Sequence, residues 1–423
     1  MCSYGTCVGK NLAYWPVTLP LIVDYTHYQH TSEDDDAVLA ALEHSGRVHR
    51  IEIVGTDSLL NKVANVMRKP FPSLSHLDIA WNLNGKLGPA LGSVPIIPRK
   101  FLGHSASHLQ HLYLSGISLP HLPAFLLSAR NLVTLNLENI FQDGYAYLSP
   151  KALAEGLAIL PSLMTLSIRF HDATSTTDQS RQDPPIILPS LTVFHCEGYS
   201  EYLEDLLARL ITPRVDCVKI EYYVQDIRAL RLSRFLDRTE NLKLNQFMRA
   251  RVLFFSEEFS VELDCPQGNR CQAQFSLTMY QRWRDMPVPY SESAHILDQL
   301  AATFSNVDHP SAHGNYVGLG NVDSNEWLPF LRQFPAVESL HLSEGVAACI
   351  VSALEHTADS VTDLFPALRL IWLDDGENDD GDVPMWSIER FISLRQLSGR
   401  PVAIVDTYDE LVEAADRLRN PLL

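Results

Sequence analysis

The stretch that decides the fold reads NLVTLNLEN and covers Asn131–Asn139. Leu132, Leu135 and Leu137 follow one another at intervals of three and two residues, and polar residues stand between and after them. Alternate residues of an extended strand point to opposite sides, so Leu135 and Leu137 share one side and their polar neighbours share the other. The stretch therefore predicts a strand with one buried and one exposed side.

Weaker copies of this phrase recur along most of the chain. In the first part of the chain their first apolar residues are 26, 35, 23, 31, 28 and 24 residues apart, at Val48, Leu74, Leu109, Leu132, Leu163, Leu191 and Val215. Two further copies begin at Val337 and Leu368. A strand phrase of this form, repeated at roughly 20–29 residues, is the signature of leucine-rich repeats, and two of the steps are lengthened by insertions.

A single repeat cannot bury its own leucines, so neighbouring repeats must stack. The sequence therefore predicts an α/β leucine-rich-repeat-like solenoid, a horseshoe arc with a parallel β-sheet on the concave face and helices or irregular segments on the convex face. Helices are predicted between the strand phrases, among them residues 58–68, a segment starting at Ser149-Pro150, and residues 200–210. Serine followed by proline is the favoured order at the start of a helix.

We predict four segments along the chain. Residues 1–46 form an N-terminal strand–helix cap, residues 47–224 the leucine-rich-repeat-like array, and residues 331–423 the C-terminal repeats and cap. Between them, residues 225–330 lose the repeat register, and their alternating stretches fit either degenerate repeats or an antiparallel insertion. Within that segment, residues 306–321 are rich in glycine, asparagine and histidine and are predicted to form a loop.

The charge balance argues against polyanionic partners. The chain of 423 residues has 33 basic and 51 acidic residues and a formal net charge of -18, whereas nucleic acid and anionic membranes attract basic surfaces. No apolar run approaches the roughly 18 residues of a membrane span. Seven scattered cysteines, an odd number, favour reduced thiols in a cytoplasmic or nuclear protein.

The residues between the apolar positions of each phrase define the candidate binding surface. In a stacked parallel sheet they point away from the core, onto the concave face that repeat proteins use for binding. They include aromatic, histidine and charged residues of both signs, a mixture that suits protein recognition. The candidates are His76, Asp78, His111, Tyr113, Thr134, Asn136, Glu138, Thr165, Arg169, His195, Glu197, Lys219, Glu221, His341 and Trp372.

The sequence carries no complete catalytic, cofactor or metal signature. His104, His108 and His111 have ligand-like spacing, but His111 belongs to a strand phrase, so the three are interpreted as scattered surface histidines. His195-Cys196-Glu197 resembles half of a zinc deaminase motif whose Pro-Cys-x-x-Cys half is missing. Phosphate-cradling loops, nucleophile elbows and metalloprotease motifs are absent. We therefore predict a non-enzymatic chain without cofactor or metal.

Several softer motifs run through nearly the whole chain. They are Trp15-Pro16 with Leu19–Val23, Glu33–Glu43 leading into Arg47-Val48, Gly144–Leu153, Trp327–Leu331, Phe334–Ser343 and Arg395–Val402. Together they resemble the leucine-rich-repeat region of the large F-box protein family of mushroom-forming fungi.

That resemblance implies substrate recognition. In the family, an N-terminal F-box docks on the Skp-type adaptor of a cullin ubiquitin ligase, and the repeat arc holds the protein to be ubiquitylated. Nothing before Trp15 resembles an F-box, so the adaptor is expected as a partner only if an F-box lies upstream.

The leading functional hypothesis is a non-enzymatic protein-interaction module, the substrate-recognition region of an F-box-type ubiquitin-ligase receptor. One alternative is an F-box-independent scaffold or sensor built on the same repeats. The other is an enzyme with its site within residues 225–321. The expected partner is a protein whose identity no motif encodes.

Overall fold

The computed structural model describes residues 16, 18–25, 32–81, 94–142, 146–170, 184–224, 230–239, 241–242, 249–254, 258–264, 274–281, 309–314, 337–343, 365–374 and 385–405. The chain divides into two compact units, Met1–Val215 (unit 1) and Asp216–Leu423 (unit 2). The four segments expected from the sequence remain a prediction.

Unit 1 is built on parallel strands that follow one another in chain order. Its described strands are β1 (Leu21–Tyr25), β2 (Val48–Gly55), β3 (His76–Trp81), β4 (His111–Ser115), β5 (Thr134–Glu138), β6 (Phe141–Gln142), β7 (Ala146–Tyr147), β8 (Thr165–Arg169), β9 (Ile186–Ile187), β10 (Val193–Tyr199) and β11 (Leu210–Ile211). The main sheet has the order β1-β2-β3-β4-β5-β8-β10, while β6 with β7 and β9 with β11 form two short separate pairs.

Helices return the chain between these strands. They are α1 (Ser32–Glu43), α2 (Asp57–Val66), α3 (Leu122–Ser128), α4 (Pro150–Leu157) and α5 (Ser200–Ala208). Helix α1 packs against β1, α2 against β2 and α5 against β10. Helix α4 begins as predicted, because Ser149 Oγ accepts a hydrogen bond from the Ala152 amide at 3.2 Å and proline follows at the first helical position.

The strand phrases form the core of unit 1. Leu112 pairs with Leu135, Leu135 with Leu166, and Leu166 with Phe194, without a register shift. Every apolar position of the aligned phrases from Val48 to Val215 is buried. The predicted α/β leucine-rich-repeat-like fold, with strands and helices packed on a shared apolar core, is confirmed.

Side chains at the strand entrances link successive repeats. In three phrases, the residue directly before the first apolar position donates a hydrogen bond to a backbone carbonyl of the preceding repeat. These bonds run from Ser73 Oγ to Gly46 O (3.2 Å), from Asn131 Nδ2 to Ser107 O (2.7 Å) and from Ser190 Oγ to Pro161 O (2.7 Å). Each acceptor stands two residues before its own phrase, so the links repeat at one level of the stack.

The strand exits turn through a left-handed backbone conformation. Gly116 has a φ of 68° and Asn139 a φ of 49°, and each directly follows its strand. Their amides donate to Glu138 O at 2.9 Å and to Arg169 O at 2.7 Å in the next repeat. Glycine and asparagine tolerate this conformation best, which explains the asparagine that closes the Asn131–Asn139 stretch.

Unit 2 continues with strands in a different arrangement. Its described strands are β12 (Cys217–Val224), β13 (Arg249–Phe254), β14 (Glu258–Asp264), β15 (Gln274–Gln281), β16 (His309–Gly314), β17 (Ser339–Ser343), β18 (Leu370–Asp374) and β19 (Ala403–Val405), and its described helices are α6 (Leu230–Asp237) and α7 (Met385–Leu397). The strand order is β12-β15-β14-β13-β16-β17-β18-β19.

The three strands β13, β14 and β15 form an antiparallel meander within this order. Strand β14 is antiparallel to both neighbours, whereas β15 is parallel to β12 and β13 is parallel to β16. The blurred register of residues 225–330 therefore includes an antiparallel insertion. The loop predicted for residues 306–321 is wrong at His309–Gly314, which forms β16 between β13 and β17; the rest of that segment lies outside the described residues.

Leu135→Ala should destabilise the chain strongly. Leu135 is fully buried between paired leucines on both neighbouring strands, and a leucine-to-alanine cavity of this kind costs about 3 kcal/mol. The matched control is Leu127→Ala on α3, where the leucine is 47% exposed. Urea unfolding followed by circular dichroism checks the prediction, and equal midpoints for the two variants would contradict it.

Candidate functional site

The open face of unit 1 is the side of its main sheet that carries the residues alternating with the buried apolar positions. From β2 to β10 the strands pair without a register shift, so the side chains on this face form three rows that cross the strands. The first row is Arg50, His76, His111, Thr134, Thr165 and Val193; the second is Glu52, Asp78, Tyr113, Asn136, Ser167 and His195; the third is Val54, Ala80, Ser115, Glu138, Arg169 and Glu197.

The rows contain every sequence candidate from His76 to Glu197. Most of these side chains are half-exposed, as expected for one side of a sheet, but Glu197 is buried. Sequence reasoning missed Arg50 and Glu52, which complete the first two rows on β2. The signal was present, because both residues alternate with buried Ile51 and Ile53.

The remaining candidates belong to unit 2. On β12, Lys219 and Glu221 form an ion pair, with Glu221 buried. His341 and Trp372 occupy paired positions of β17 and β18, and their side chains lie outside the described part of the chain.

A charged network joins four strands at one end of the open face. Arg169 Nε donates to Glu197 Oε2 at 2.5 Å, and its Nη1 donates to Glu138 Oε1 at 3.5 Å. The Tyr113 hydroxyl donates to the other oxygen of Glu138 at 2.6 Å. This Arg169 network, made of Tyr113, Glu138, Arg169 and Glu197, holds its members in fixed positions without a bound partner.

Proton affinities in the Arg169 network follow from these contacts. Burial alone would lower the pKa of the Arg169 guanidinium, but the adjacent carboxylates of Glu197 and Glu138 outweigh it and raise that pKa. Burial, together with the hydrogen bond to Glu138, also raises the pKa of Tyr113. The guanidinium and the phenol therefore keep their protons throughout the physiological range.

At the other end of the open face, Glu52 is the centre of a second cluster. Arg50 Nε donates to Glu52 Oε1 at 2.6 Å, and His76 Nε2 lies 3.3 Å from the same oxygen. The His76 ring lies beside that of His111, with centroids 5.6 Å apart and planes tilted by 41°. Burial and Arg50 lower the pKa of His76 against the opposing effect of Glu52, so the site favours the neutral imidazole.

Asp78 lies between these two groups. Its register neighbours are Glu52 on β2 and Tyr113 on β4, and its carboxylate makes no hydrogen bond or ion pair with the residues that the structure describes. Burial first, and then the charge of Glu52, raise the pKa of Asp78 to about 6, although Arg50 offsets part of the effect. Asp78 is therefore a charged, poorly compensated group at neutral pH.

The histidines with ligand-like spacing do not share a helix. His104 ends a 3-10 turn at Phe101–His104, His108 lies in the turn that follows, and His111 begins β4.

Comparisons with known proteins add little to this description. No protein-family model matches the sequence. No curated protein matches it either. Among solved structures, the chain is similar to the leucine-rich repeat-containing protein LegL7 from Legionella pneumophila, with 12% identity over 95% of this chain and 97% of that chain and a TM-score of 0.29. The leucine-rich-repeat assignment rests on the strands and buried leucines of the chain itself.

None of the helices in the described residues is both long enough and apolar enough to cross a bilayer.

Asp78→Asn should stabilise the chain near neutral pH. The pKa of about 6 lies above the ordinary value of 3.8, so the folded chain holds this proton more tightly than the unfolded chain does. The resulting stability is fully present below pH 3.8 and is lost as the pH rises through 6.

Asparagine cannot ionise, so the variant avoids that loss. The gain in unfolding free energy over wild type should be larger at pH 7.5 than at pH 4, by about 1 kcal/mol once solvent screening of this half-exposed group is allowed for. Urea titrations at both pH values measure it, with Glu155→Gln on the exposed side of α4 as control. A gain that is equal at both pH values would be inconsistent with a penalty from the ionised carboxylate.

Arg169→Met should destabilise unit 1 by leaving Glu138 and the buried Glu197 without their shared cation. A buried carboxylate that loses its partner costs about 1–3 kcal/mol. Adding Glu197→Gln should recover part of the loss, and a double-mutant cycle of urea midpoints measures that recovery. Arg130→Met, at an exposed position, is the control; additive effects of the two substitutions would show that the network does not couple them.

Proposed function

We propose that the chain is a protein-interaction module whose open face binds a partner protein, and that it serves as the substrate-recognition region of an F-box-type ubiquitin-ligase receptor. The observation that carries the proposal is the set of three rows of polar and aromatic side chains that cross β2, β3, β4, β5, β8 and β10 in constant register. A surface of this extent, set by the stacking of repeats, is the form in which repeat proteins present binding sites.

The composition of the face supports a protein partner. Tyrosine and arginine are enriched where protein interfaces concentrate their binding energy, and Tyr113 and Arg169 lie on adjacent rows. Between the two charged clusters, Thr134, Asn136 and Thr165 are half-exposed and leave a polar, uncharged strip. Both signs of charge are present, which favours a folded protein surface over a uniformly charged polymer.

Pre-organisation supports the same proposal. The strands fix the backbone, and the Arg169 network and the Glu52 cluster fix the longest side chains on the face. Side chains that are already ordered lose little conformational freedom when a partner arrives, and this lowers the cost of binding.

The finer assignment to a ubiquitin ligase comes from the sequence resemblance. It predicts that the protein held on the open face is a substrate and that a Skp-type adaptor binds elsewhere, through an F-box. An F-box-independent scaffold or sensor would use the same open face without the adaptor. Co-purification of the full-length gene product with a Skp-type adaptor separates the two roles.

Removing side chains from the open face should abolish partner capture. The triple variant His111→Ala, Tyr113→Ala and Asn136→Ala deletes neighbouring groups on β4 and β5. Tagged wild-type and variant chains are cross-linked in extracts of the source cells, and the captured proteins are quantified by mass spectrometry. At least one protein should be recovered at least tenfold less by the variant, since hot-spot losses of about 1.4 kcal/mol or more each change affinity tenfold.

The control removes three exposed side chains away from the open face, with Lys62→Ala, Arg130→Ala and Glu155→Ala. It should capture the same proteins as wild type. Equal capture by the open-face variant, or loss in the control alone, would contradict binding on this face. Circular dichroism establishes that each variant is folded.

A further inference from the structure

The third row of the open face changes in size along the sheet. On β2, β3 and β4 it consists of the small, half-buried residues Val54, Ala80 and Ser115, and on β5 it continues with Glu138. The second row beside it carries larger side chains. Neighbouring strands lie about 4.8 Å apart, so the small residues span about 10 Å from β2 to β4. We call this low area the Ala80 recess.

The borders of the Ala80 recess are acidic and aromatic. Asp78 borders it from the second row, Tyr113 stands beside Asp78, and Glu138 closes the end at β5. The Tyr113 hydroxyl is held by its hydrogen bond to Glu138 at 2.6 Å, and the Ser115 hydroxyl also interacts with it. The aromatic ring is therefore fixed next to the carboxylate of Asp78.

The charge around the recess is unbalanced. Arg50 is engaged by Glu52, and Arg169 is engaged by Glu197 and Glu138. Asp78 makes no ion pair and accepts no hydrogen bond among the described residues, and Arg50, which is held by Glu52, offsets only part of the effect of its neighbours. Burial among its neighbours also raises the pKa of its carboxyl. A cation that binds this carboxylate gains more electrostatic interaction energy than one that binds a fully solvated surface acid.

We propose that the Ala80 recess receives an arginine side chain of the partner protein, with the guanidinium bound to Asp78 and lying against Tyr113. This inference rests on the open face being a protein-binding surface. It names the chemistry that the partner must present there.

Arginine fits this site better than lysine for two reasons. The planar guanidinium can donate two parallel hydrogen bonds to one carboxylate, whereas an ammonium group acts as a point charge. It can also stack on an aromatic ring while doing so. Ala80 and Ser115 have short side chains, so the described floor of the recess leaves space for such a flat group.

Peptide selection on the full chain tests the proposal. A phage library of random 12-residue peptides is panned at pH 7.5 on the wild-type chain, on Asp78→Asn and on Glu155→Gln, which removes the same unit of charge at an exposed position of α4. Arginine should be enriched at one position of the selected peptides on wild type and on Glu155→Gln, and at least fivefold less on Asp78→Asn. Synthetic peptides with that arginine replaced by citrulline or lysine should bind wild type at least fivefold more weakly.

Three results would overturn the proposal: no arginine enrichment on wild type, equal enrichment on Asp78→Asn, or lysine selected as often as arginine. Equal enrichment on Asp78→Asn would mean that the net negative charge of the chain attracts cations, and equal selection of lysine would mean that the site does not recognise the guanidinium group. The open-face triple variant separates this failure from failure of the proposed function. If the triple variant loses the peptides and Asp78→Asn keeps them, the face binds protein without using Asp78; if neither loses them, the open face is not the binding surface.

Discussion

The structure depends on one constraint, which is that no repeat can bury its leucines alone. Leu135 is fully buried, and Leu112 and Leu166 occupy the same level on the strands at either side. A shift of β5 by one residue would turn Thr134 and Asn136 into the core and Leu135 out of it. The burial of each leucine therefore fixes the register between its strand and the preceding one, and the register of the next strand is fixed in the same way.

This constraint also determines the open face. Side chains on the two sides of a strand belong to the same backbone, so a register fixed by the core fixes the polar rows as well. The strand entrances and exits strengthen that register with links that do not depend on the leucines. Asn131 provides one of these links: it directly precedes Leu132, and its side chain donates a hydrogen bond to a carbonyl of the preceding repeat. The proposed binding surface and the core thus lie on opposite sides of the same strands.

The sequence was sufficient to predict the parts of the structure that repeat. The alternation around Leu132, Leu135 and Leu137 is enough to infer a strand, its buried side and the stacking that burial requires. The same reasoning placed the candidates from His76 to Glu197 on one face. The residues of β2 were within its reach as well, because Arg50 and Glu52 obey the same alternation.

Where the chain departs from the repeat, sequence patterns no longer predict strand direction or the position of every strand. Strands β13, β14 and β15 alternate in the same way whether their neighbours are parallel or antiparallel, so the pattern could not distinguish the two arrangements. His309–Gly314 has the composition of a loop, yet pairing with β13 and β17 makes it a strand, because strand formation depends on context more than on propensity. The hydrogen bonds of Tyr113, Glu138 and Arg169 were likewise beyond prediction, since they join residues that only the stack brings together.

The two ends of the open face differ in what they can contribute to recognition. In the Arg169 network the guanidinium and both carboxylates are already engaged with one another, so a partner must either leave those bonds intact or replace them at equal strength. Such a network provides shape and rigidity more than new binding energy. Asp78 is in the opposite situation, because its carboxylate is partly desolvated and makes no ion pair with the residues that the structure describes. A complementary group therefore gains an interaction there that the free chain lacks. Under the proposed function, specificity should thus depend most on Asp78, the carboxylate on the open face that makes no ion pair among the described residues.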